Sequence, residues 1–209
     1  MRTHKYWQNQ HQKYSTANWI TKPTIFAQQI IKFFPKNGKI IDLGAGQGQD
    51  SHFFTKNNFQ VTSTDFCQDA LNISKNRSSD LNINFQNIDL TKKLPYADSS
   101  FDIAYSHLAL HYFDQKDTKK LFKEIYRILK KDGIFATLVN TINDSEVIES
   151  NEIEKEYFLS PVGIKKRFFS INYFHQLIEN QYKILVLDEK GETYKDENKN
   201  LIRFVGKKI

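Results

Sequence analysis

A short apolar stretch that runs into a glycine-rich loop constrains the fold of this chain more than any other feature. Residues 40–50 read IIDLGAGQGQD: a strand pattern, then glycine at every second position, then the start of a helix. Glycine permits tight turns and close approach of a ligand to the main chain. A helix start offers free N–H groups and the positive end of the helix dipole. Three alternating glycines exceed what a turn requires, so the segment predicts a ligand-binding loop.

Strand and helix patterns alternate on both sides of this loop. Strands are predicted over Lys39–Leu43, Phe59–Thr64, Ile83–Ile88, Phe101–Ser106 and Gly133–Val139. Helices are predicted over Pro23–Phe34, Asp50–Asn57, Gln68–Asn76 and Asp117–Leu129. This alternation predicts an α/β fold with parallel strands and right-handed crossovers. Ligands of such sheets bind beyond the carboxyl ends of the strands.

The last third of the chain follows a different pattern. An acidic helix is predicted over Asn143–Tyr157, and another over Ser170–Asn180 with Ser170 as its N-terminal cap. The segments Tyr182–Leu187 and Asn200–Val205 are predicted to be strands around a charged turn. An antiparallel pair closing the sheet fits this position.

Length and hydropathy favour one cytoplasmic domain. The chain has 209 residues, and its apolar runs fall far short of the roughly 20 residues of a membrane span. The first residues lack the apolar core of a signal peptide. We expect a single domain made of an N-terminal segment, a ligand-binding core, and a C-terminal part that completes the sheet and the substrate side, over residues 1–22, 23–140 and 141–209.

Charge and cysteine content limit the classes of binding partner and metal site that this chain can have. The net charge is +6, but the basic residues occur as pairs interspersed with acidic ones. This favours a solvated surface over a nucleic-acid-binding face. Cys67 is the single cysteine, which excludes an internal disulfide and a multi-cysteine zinc site.

The spacing of the loop argues against a dinucleotide ligand. The dinucleotide fingerprint is G-x-G-x-x-G, whereas here the third glycine, Gly48, comes one residue early and Gln49 takes the fingerprint position. Asp65 ends the second strand, about 20 residues past the loop, where a carboxylate binds ribose hydroxyls. Phe66 offers an apolar face for an adenine ring. An alternative interpretation of Asp65 is a cap of the helix that begins near Cys67.

A second acidic position follows the third strand. Asp89 can accept a hydrogen bond from an adenine amino group, while its neighbours Ile88 and Leu90 offer apolar contacts. Taken alone, Asp89 would be interpreted as a turn residue. The fourth strand ends at Ser106 and His107, beside the expected crevice.

These four segments, in this order, resemble class I S-adenosylmethionine-dependent methyltransferases over residues 38–140. The resemblance implies a Rossmann-like, doubly wound sheet of seven strands in the order 3-2-1-4-5-7-6, with the seventh antiparallel. It implies that Gly44–Gly46 line the methionyl part of S-adenosylmethionine, Asp65 the ribose and Asp89 the adenine. The full set of expected cofactor contacts is Asp42, Gly44, Ala45, Gly46, Gln49, Asp65, Phe66, Ile88, Asp89, Leu90 and Ser106.

Within this family the chain looks similar to small-molecule enzymes, including the tellurite-resistance and thiopurine types. In such enzymes an N-terminal segment covers the cofactor. The aromatic residues expected to form this lid, or else to pack ordinarily against the domain, are Tyr6, Trp7, Tyr14 and Trp19.

The resemblance implies direct in-line transfer of the methyl group to a small-molecule acceptor, leaving S-adenosylhomocysteine, with no metal. His107 and His111 are candidates for a general base. Their four-residue spacing would place them on one helix face, and the alternative is that they only pack and shape the pocket. The same fold acting on RNA or protein, or binding the cofactor without catalysis, remains a further interpretation. We expect a monomer or a homodimer.

Overall fold

The computed structural model describes residues 2–194 and 200–209, and for residues 2–4 it gives the backbone alone. The helices are α1 Arg2–Tyr14, α2 Ile25–Ile30, α3 Gln49–Lys56, α4 Gln68–Arg77, α5 Gln115–Ile128 and α6 Ile171–Ile178. The strands are β1 Lys39–Leu43, β2 Gln60–Asp65, β3 Ile83–Asn87, β4 Phe101–His107, β5 Leu129–Asn140, β6 Asn151–Glu154, β7 Tyr157–Leu159, β8 Lys165–Arg167, β9 Tyr182–Asp188 and β10 Leu201–Lys208.

Seven strands form the main sheet in the order β3-β2-β1-β4-β5-β10-β9. Strands β1 to β5 pair in parallel, with Asp42 opposite both Ser63 and Tyr105, and His107 opposite Leu138. Strand β10 is antiparallel to both of its neighbours. Because β9 and β10 are the sixth and seventh strands of this sheet, the predicted strand order and the antiparallel seventh strand are confirmed.

Apolar clusters cover both faces of the sheet. One contains Phe122 of α5 and Phe174 of α6, and the other contains Phe26 of α2 and Phe54 of α3. Parallel sheets are stable when both faces are buried in this way. The strand ends are then the places where a ligand can reach the sheet.

The predicted helix over Asn143–Tyr157 is wrong. A short 3-10 turn covers Ser145–Val147, and the chain then forms β6 and β7, which pair with β8 in a separate three-stranded antiparallel sheet. The register pair of Tyr157 and Arg167 is buried. The acidic run contains few apolar residues, so pairing with the next strand along the chain decides its conformation.

Other boundaries shift by small amounts. Helix α2 is shorter than predicted because the Thr24 side chain caps it and a 3-10 turn follows at Ile31–Phe33. Ser170 caps α6, as predicted. The charged turn predicted before β10 includes 195–199, which lie outside the described residues. Helix α1 was not predicted as a helix at all.

Among the helices of the described part of the chain, none combines the length and apolar character needed to cross a bilayer.

Candidate functional site

A cavity of about 1000 Å³ lies at the carboxyl ends of β1 to β5. Helix α1 forms its cover, since four residues of that helix line the cavity, among them Trp7 and His11. All of the predicted cofactor contacts except Ser106 line it, as do both candidate histidines and all four predicted lid aromatics. The fold thus brings into one cavity residues that are spread over most of the sequence.

The glycine loop forms one wall of this cavity. Gly44 and Gly46 line it, whereas a Cβ at Gly48 would overlap Ser74 Oγ on α4. The loop N–H groups of Gly44 and Ala45 donate to Thr64 O at 2.9 and 2.8 Å. These two N–H groups are therefore already bonded within the protein, whereas in a phosphate-binding loop they would be available to the ligand. The loop offers a ligand bare backbone surface, which suits a ligand without phosphates.

Asp65 lies at the end of β2, against the loop. Its carboxylate accepts hydrogen bonds from the N–H of Gly46 at 2.9 Å and the N–H of Cys67 at 2.8 Å. Burial raises the pKa of Asp65, opposed by the Cys67 N–H and by His11. The bond to Cys67 means that Asp65 stabilises the start of α4, while its side chain also lines the cavity; its role toward ribose stays a prediction.

Asp42, at the end of β1, is a buried carboxyl in the same wall. It accepts a hydrogen bond from Ser51 Oγ at 2.6 Å. Burial raises the pKa of Asp42 to about 8; the Ser51 hydrogen bond opposes the shift, and the charges of Asp50 and Asp65 add to it. Asp42 is therefore neutral at pH 7 and ready to ionise when a cationic group approaches.

Asp50 is a site residue that sequence reasoning missed. Its carboxylate accepts hydrogen bonds from the Thr24 N–H at 2.7 Å, Thr24 Oγ at 2.8 Å and the Tyr105 hydroxyl at 2.6 Å. Asp50 thereby ties the start of α2 and the strand β4 to the first turn of α3, and it lines the cavity. Its position at a helix N-terminus was the available signal.

Helix α1 is docked on the loop through several polar and aromatic contacts. Gln47 Nε2 donates to His11 O at 2.6 Å, and the His11 ring lies close enough to Gly46 that a Cβ there would be 3.0 Å from it. The Trp7 and Tyr112 rings both line the cavity and pack edge to face, with their centroids 5.4 Å apart. His11 was also missed, because nothing in the sequence fixes how α1 rotates over the loop. Burial lowers the pKa of His11, and Asp65 opposes this.

Asp89 lies at the far end of the cavity beside Ile88 and Leu90. Its Oδ1 accepts hydrogen bonds from the Thr91 N–H at 3.0 Å and from Thr91 Oγ at 2.7 Å. Burial raises the pKa of this carboxylate, but the Thr91 bonds outweigh it and the net shift is downward. Asp89 is thus both a turn residue and a charged group facing the cavity.

The stretch after β4 does not form the helix that the histidine spacing implied. Leu108 has a φ of 53°, in the left-handed region that an apolar side chain seldom adopts. The chain therefore turns directly after His107, so that His107 lines the cavity from the end of β4 and His111 from the irregular loop that follows. Burial lowers the pKa of His107, with Asp50 opposing, and its Nε2 has no hydrogen-bond partner within the described residues.

Ser106 is placed differently from our prediction. Its side chain is fully buried, and its Oγ donates to Leu43 O at 2.8 Å, which ties β4 to β1. It does not appear among the described residues that line the cavity. The geometry therefore gives Ser106 a structural bond and does not support it as a cofactor contact.

Within residues 2–194 and 200–209, no three His, Cys, Asp or Glu side chains are grouped so as to hold a metal ion.

The sequence and the structure are both similar to known methyltransferases. Residues 41–137 match the family model described as a methyltransferase domain. The structure superposes on a S-adenosylmethionine-dependent methyltransferase from Methanosarcina mazei with a TM-score of 0.76, at 22% identity, covering 87% of this chain and 97% of that one. The chain has the fold of the class I methyltransferases. The domain match and the shared fold support the resemblance on which the sequence-based predictions relied.

A curated protein and a second solved structure are also similar to this chain. The quinone-biosynthesis C-methyltransferase UbiE of Rickettsia akari is 30% identical over 145 residues, 64% of this chain and 53% of that protein. The 1,6-didemethyltoxoflavin-N1-methyltransferase of Burkholderia thailandensis, solved with its substrate and S-adenosylhomocysteine, has a TM-score of 0.74 at 13% identity, covering 98% of this chain and 84% of that one. The chain spans about half the length of the curated relatives it matches.

Proposed function

We propose that this methyltransferase binds S-adenosylmethionine in the cavity and transfers its methyl group to a small-molecule acceptor. The observation that carries the proposal is the meeting of Gly44, Gly46, Asp65 and Asp89 at three adjacent strand ends. These are the positions that the family resemblance assigns to the cofactor. When bound, the cofactor supplies a methyl group already activated on a sulfonium.

The residues of the cavity fit such a ligand. Asp65 presents a carboxylate for ribose hydroxyls, and Asp89 with Ile88 and Leu90 presents one acceptor and two apolar side chains for adenine. Asp42, neutral when no cation is near, can ionise beside the ammonium of the methionyl part. The loop has no Cβ at Gly44 and Gly46, so the ligand can lie against its backbone.

The remaining residues exclude water and align the acceptor. Alignment of the reacting atoms accounts for much of the rate of such transfers. His107 holds an unpartnered ring nitrogen on the acceptor side of the cavity, and its lowered pKa keeps the ring neutral near pH 7. It is therefore the better candidate for a base where the acceptor carries a proton to be removed.

A small acceptor is favoured over RNA by the cover on the cavity. Trp7 of α1 packs against Tyr112, and four residues of α1 line the cavity, so the helix covers part of it. The named relatives also support this, because one is a quinone-biosynthesis enzyme and another was solved with a small heterocycle. Four points stay predictions: the likeness to tellurite-resistance and thiopurine enzymes, a cytoplasmic location, the three-part division of the domain, and the oligomeric state.

Calorimetric titration with S-adenosylhomocysteine tests the proposal. We expect binding to the wild type and a loss of at least about 100-fold in affinity in Asp65→Ala, since two hydrogen bonds to a charged group contribute about 3 kcal/mol or more. Asp80→Ala, an exposed acid outside the cavity, is the matched control and leaves affinity unchanged. Equal binding to both variants would refute the ribose assignment, and no binding to the wild type would refute the proposal.

Transfer itself is tested with the cofactor labelled in its methyl group. Incubation with a metabolite extract, and separately with total RNA, shows which fraction acquires label. Label in the metabolite fraction supports the proposal. Label confined to RNA supports a macromolecular acceptor, and label in neither fraction despite cofactor binding favours a non-catalytic module.

A further inference from the structure

The cavity extends past the proposed cofactor positions to the ends of β4 and β5. In the sheet order β3-β2-β1-β4-β5, the cofactor residues belong to the first three strands and Asn140 ends the fifth. Two strand spacings separate β1 from β5, roughly 10 Å. This second half of the cavity is therefore where an acceptor would lie, on the side of β1 opposite the adenine end.

Asn140 has an unusual hydrogen-bonding state in this half. The residue is 1% exposed and lines the cavity. Its Nδ2 donates to Asp144 Oδ2, whereas its Oδ1 is buried with no hydrogen-bond partner among the described residues. A buried polar atom left unpaired is unfavourable, so its retention points to a partner that arrives with a ligand.

Asp144 determines which end of the amide is left open. It is 2% exposed, and its Oδ1 accepts a hydrogen bond from the Glu146 N–H at 3.0 Å. Because a carboxylate of this kind only accepts hydrogen bonds, the amide nitrogen of Asn140 faces Asp144. The carbonyl oxygen is then the atom that remains for the cavity, and it selects a hydrogen-bond donor.

The neighbouring walls are aromatic and without net charge. Trp7 and Tyr112 contribute two aromatic rings whose centroids are 5.4 Å apart. The charged side chains of this end, Lys166 and Glu146, form an ion pair at 2.7 Å, and both line the cavity. Ring walls favour a flat ligand, and the paired charges favour a neutral one.

We propose that Asn140 Oδ1 is a specificity determinant that accepts a hydrogen bond from the acceptor substrate, and that this substrate is a neutral planar aromatic or heteroaromatic molecule bearing a ring O–H or N–H. The proposal rests on the proposed methyl transfer. Trp7 and Tyr112 hold the ring of the substrate, and Asp144 is a positioning residue that acts through Asn140.

Paired probes test the proposal without knowledge of the natural substrate. 2-Naphthol and 2-methoxynaphthalene share a flat ring and differ in the donor, as do indole and N-methylindole. Each is titrated by ligand-observed NMR into protein saturated with S-adenosylhomocysteine. We expect the donor-bearing member of at least one pair to bind the wild type about tenfold more tightly. We expect Asn140→Leu to reduce that ratio to less than twofold.

Two variants complete the test. Asp144→Asn provides an amide that can donate to Asn140 Oδ1, so the ratio falls although Asn140 is unchanged. Asn84→Leu, on exposed β3, keeps the wild-type ratio. Equal binding of both members of each pair to the wild type, or a ratio that survives in Asn140→Leu, overturns the role of Asn140. Binding of none of the probes overturns the aromatic substrate class, and failure of S-adenosylhomocysteine to bind overturns the proposed function instead.

Discussion

The buried carboxyl of Asp42 makes a prediction that joins stability to ligand binding. Its pKa of about 8 in the folded chain exceeds the value of about 4 in an unfolded chain. Between these pH values the folded state holds a proton that the unfolded state has lost, so folding becomes less favourable as pH rises through this window. Below pH 4 both states are protonated and the contribution disappears.

Asp42→Asn removes this penalty, because the amide has similar size, stays neutral and still accepts the Ser51 hydrogen bond. With about 1.4 kcal/mol per pH unit, the variant should be more stable than the wild type by about 4 kcal/mol at pH 7 and by about 1 to 2 kcal/mol at pH 5. For a domain of this size, the difference at pH 7 corresponds to a rise of about 8 to 16 °C in Tm. Affinity for S-adenosylhomocysteine should fall, since the variant cannot ionise.

Thermal unfolding of both proteins, followed by circular dichroism from pH 4 to pH 8, measures this effect. The informative quantity is the Tm of the variant minus the Tm of the wild type. The contributions of the other titrating groups cancel in this difference. Asp102→Asn is a control of opposite sign: burial raises the pKa of Asp102, but hydrogen bonds from Lys130 and Lys39 lower it overall. That variant should be less stable at pH 7, and the difference should vanish as pH falls through the folded pKa. A Tm difference for Asp42→Asn that does not grow with pH would refute the argument.

Three other changes have defined outcomes. Gly48→Ala should destabilise the fold by about 2 kcal/mol or more, because the new Cβ meets Ser74 Oγ at a positive φ; urea unfolding measures this, and a neutral effect contradicts it. His107→Gln should lower kcat by about 100-fold where the acceptor loses a proton. The wild-type rate should stay constant from pH 8 down to about 6.5, since burial lowers the pKa of His107. An unchanged kcat in the variant would rule out His107 as the general base. Trp7→Ala removes the contact with Tyr112 and should speed dissociation of S-adenosylhomocysteine several-fold in stopped-flow measurements; an unchanged rate shows that α1 is not a lid.

The sheet and its ligand-facing edge were predictable because their signals are local. A buried strand that runs into alternating glycines places Gly44 and Gly46 at a strand end, whatever surrounds them. Asp65 and Asp89 follow strands in the same way, so parallel topology brings them to one edge. These positions depend on backbone direction rather than on side-chain packing, and the structure confirms the strand order that aligns them.

The residues that were missed depend on tertiary packing. His11 reaches the loop only because α1 lies across it, and Asp50 acquires its three donors only when α2 and β4 meet α3. Leu108 adopts a left-handed conformation that no sequence pattern favours for leucine. The acidic stretch after Asn143 is a different kind of error: its strand β6 pairs with β7, which follows directly in the chain, so the mistake was in interpreting a local pattern.

The same distinction separates the two halves of the cavity. The half at β1 to β3 uses main-chain glycine surface and acids at strand ends, so one pattern can serve a whole family with a common cofactor. The half at β4 and β5 is built by α1, by the loop after His107 and by the turn at Asp144, each placed by packing. In our proposal substrate selection rests on such elements, and Asn140 then carries information about the acceptor that its sequence neighbours do not reveal. Variation in those packed elements can then change the acceptor while the cofactor site stays the same.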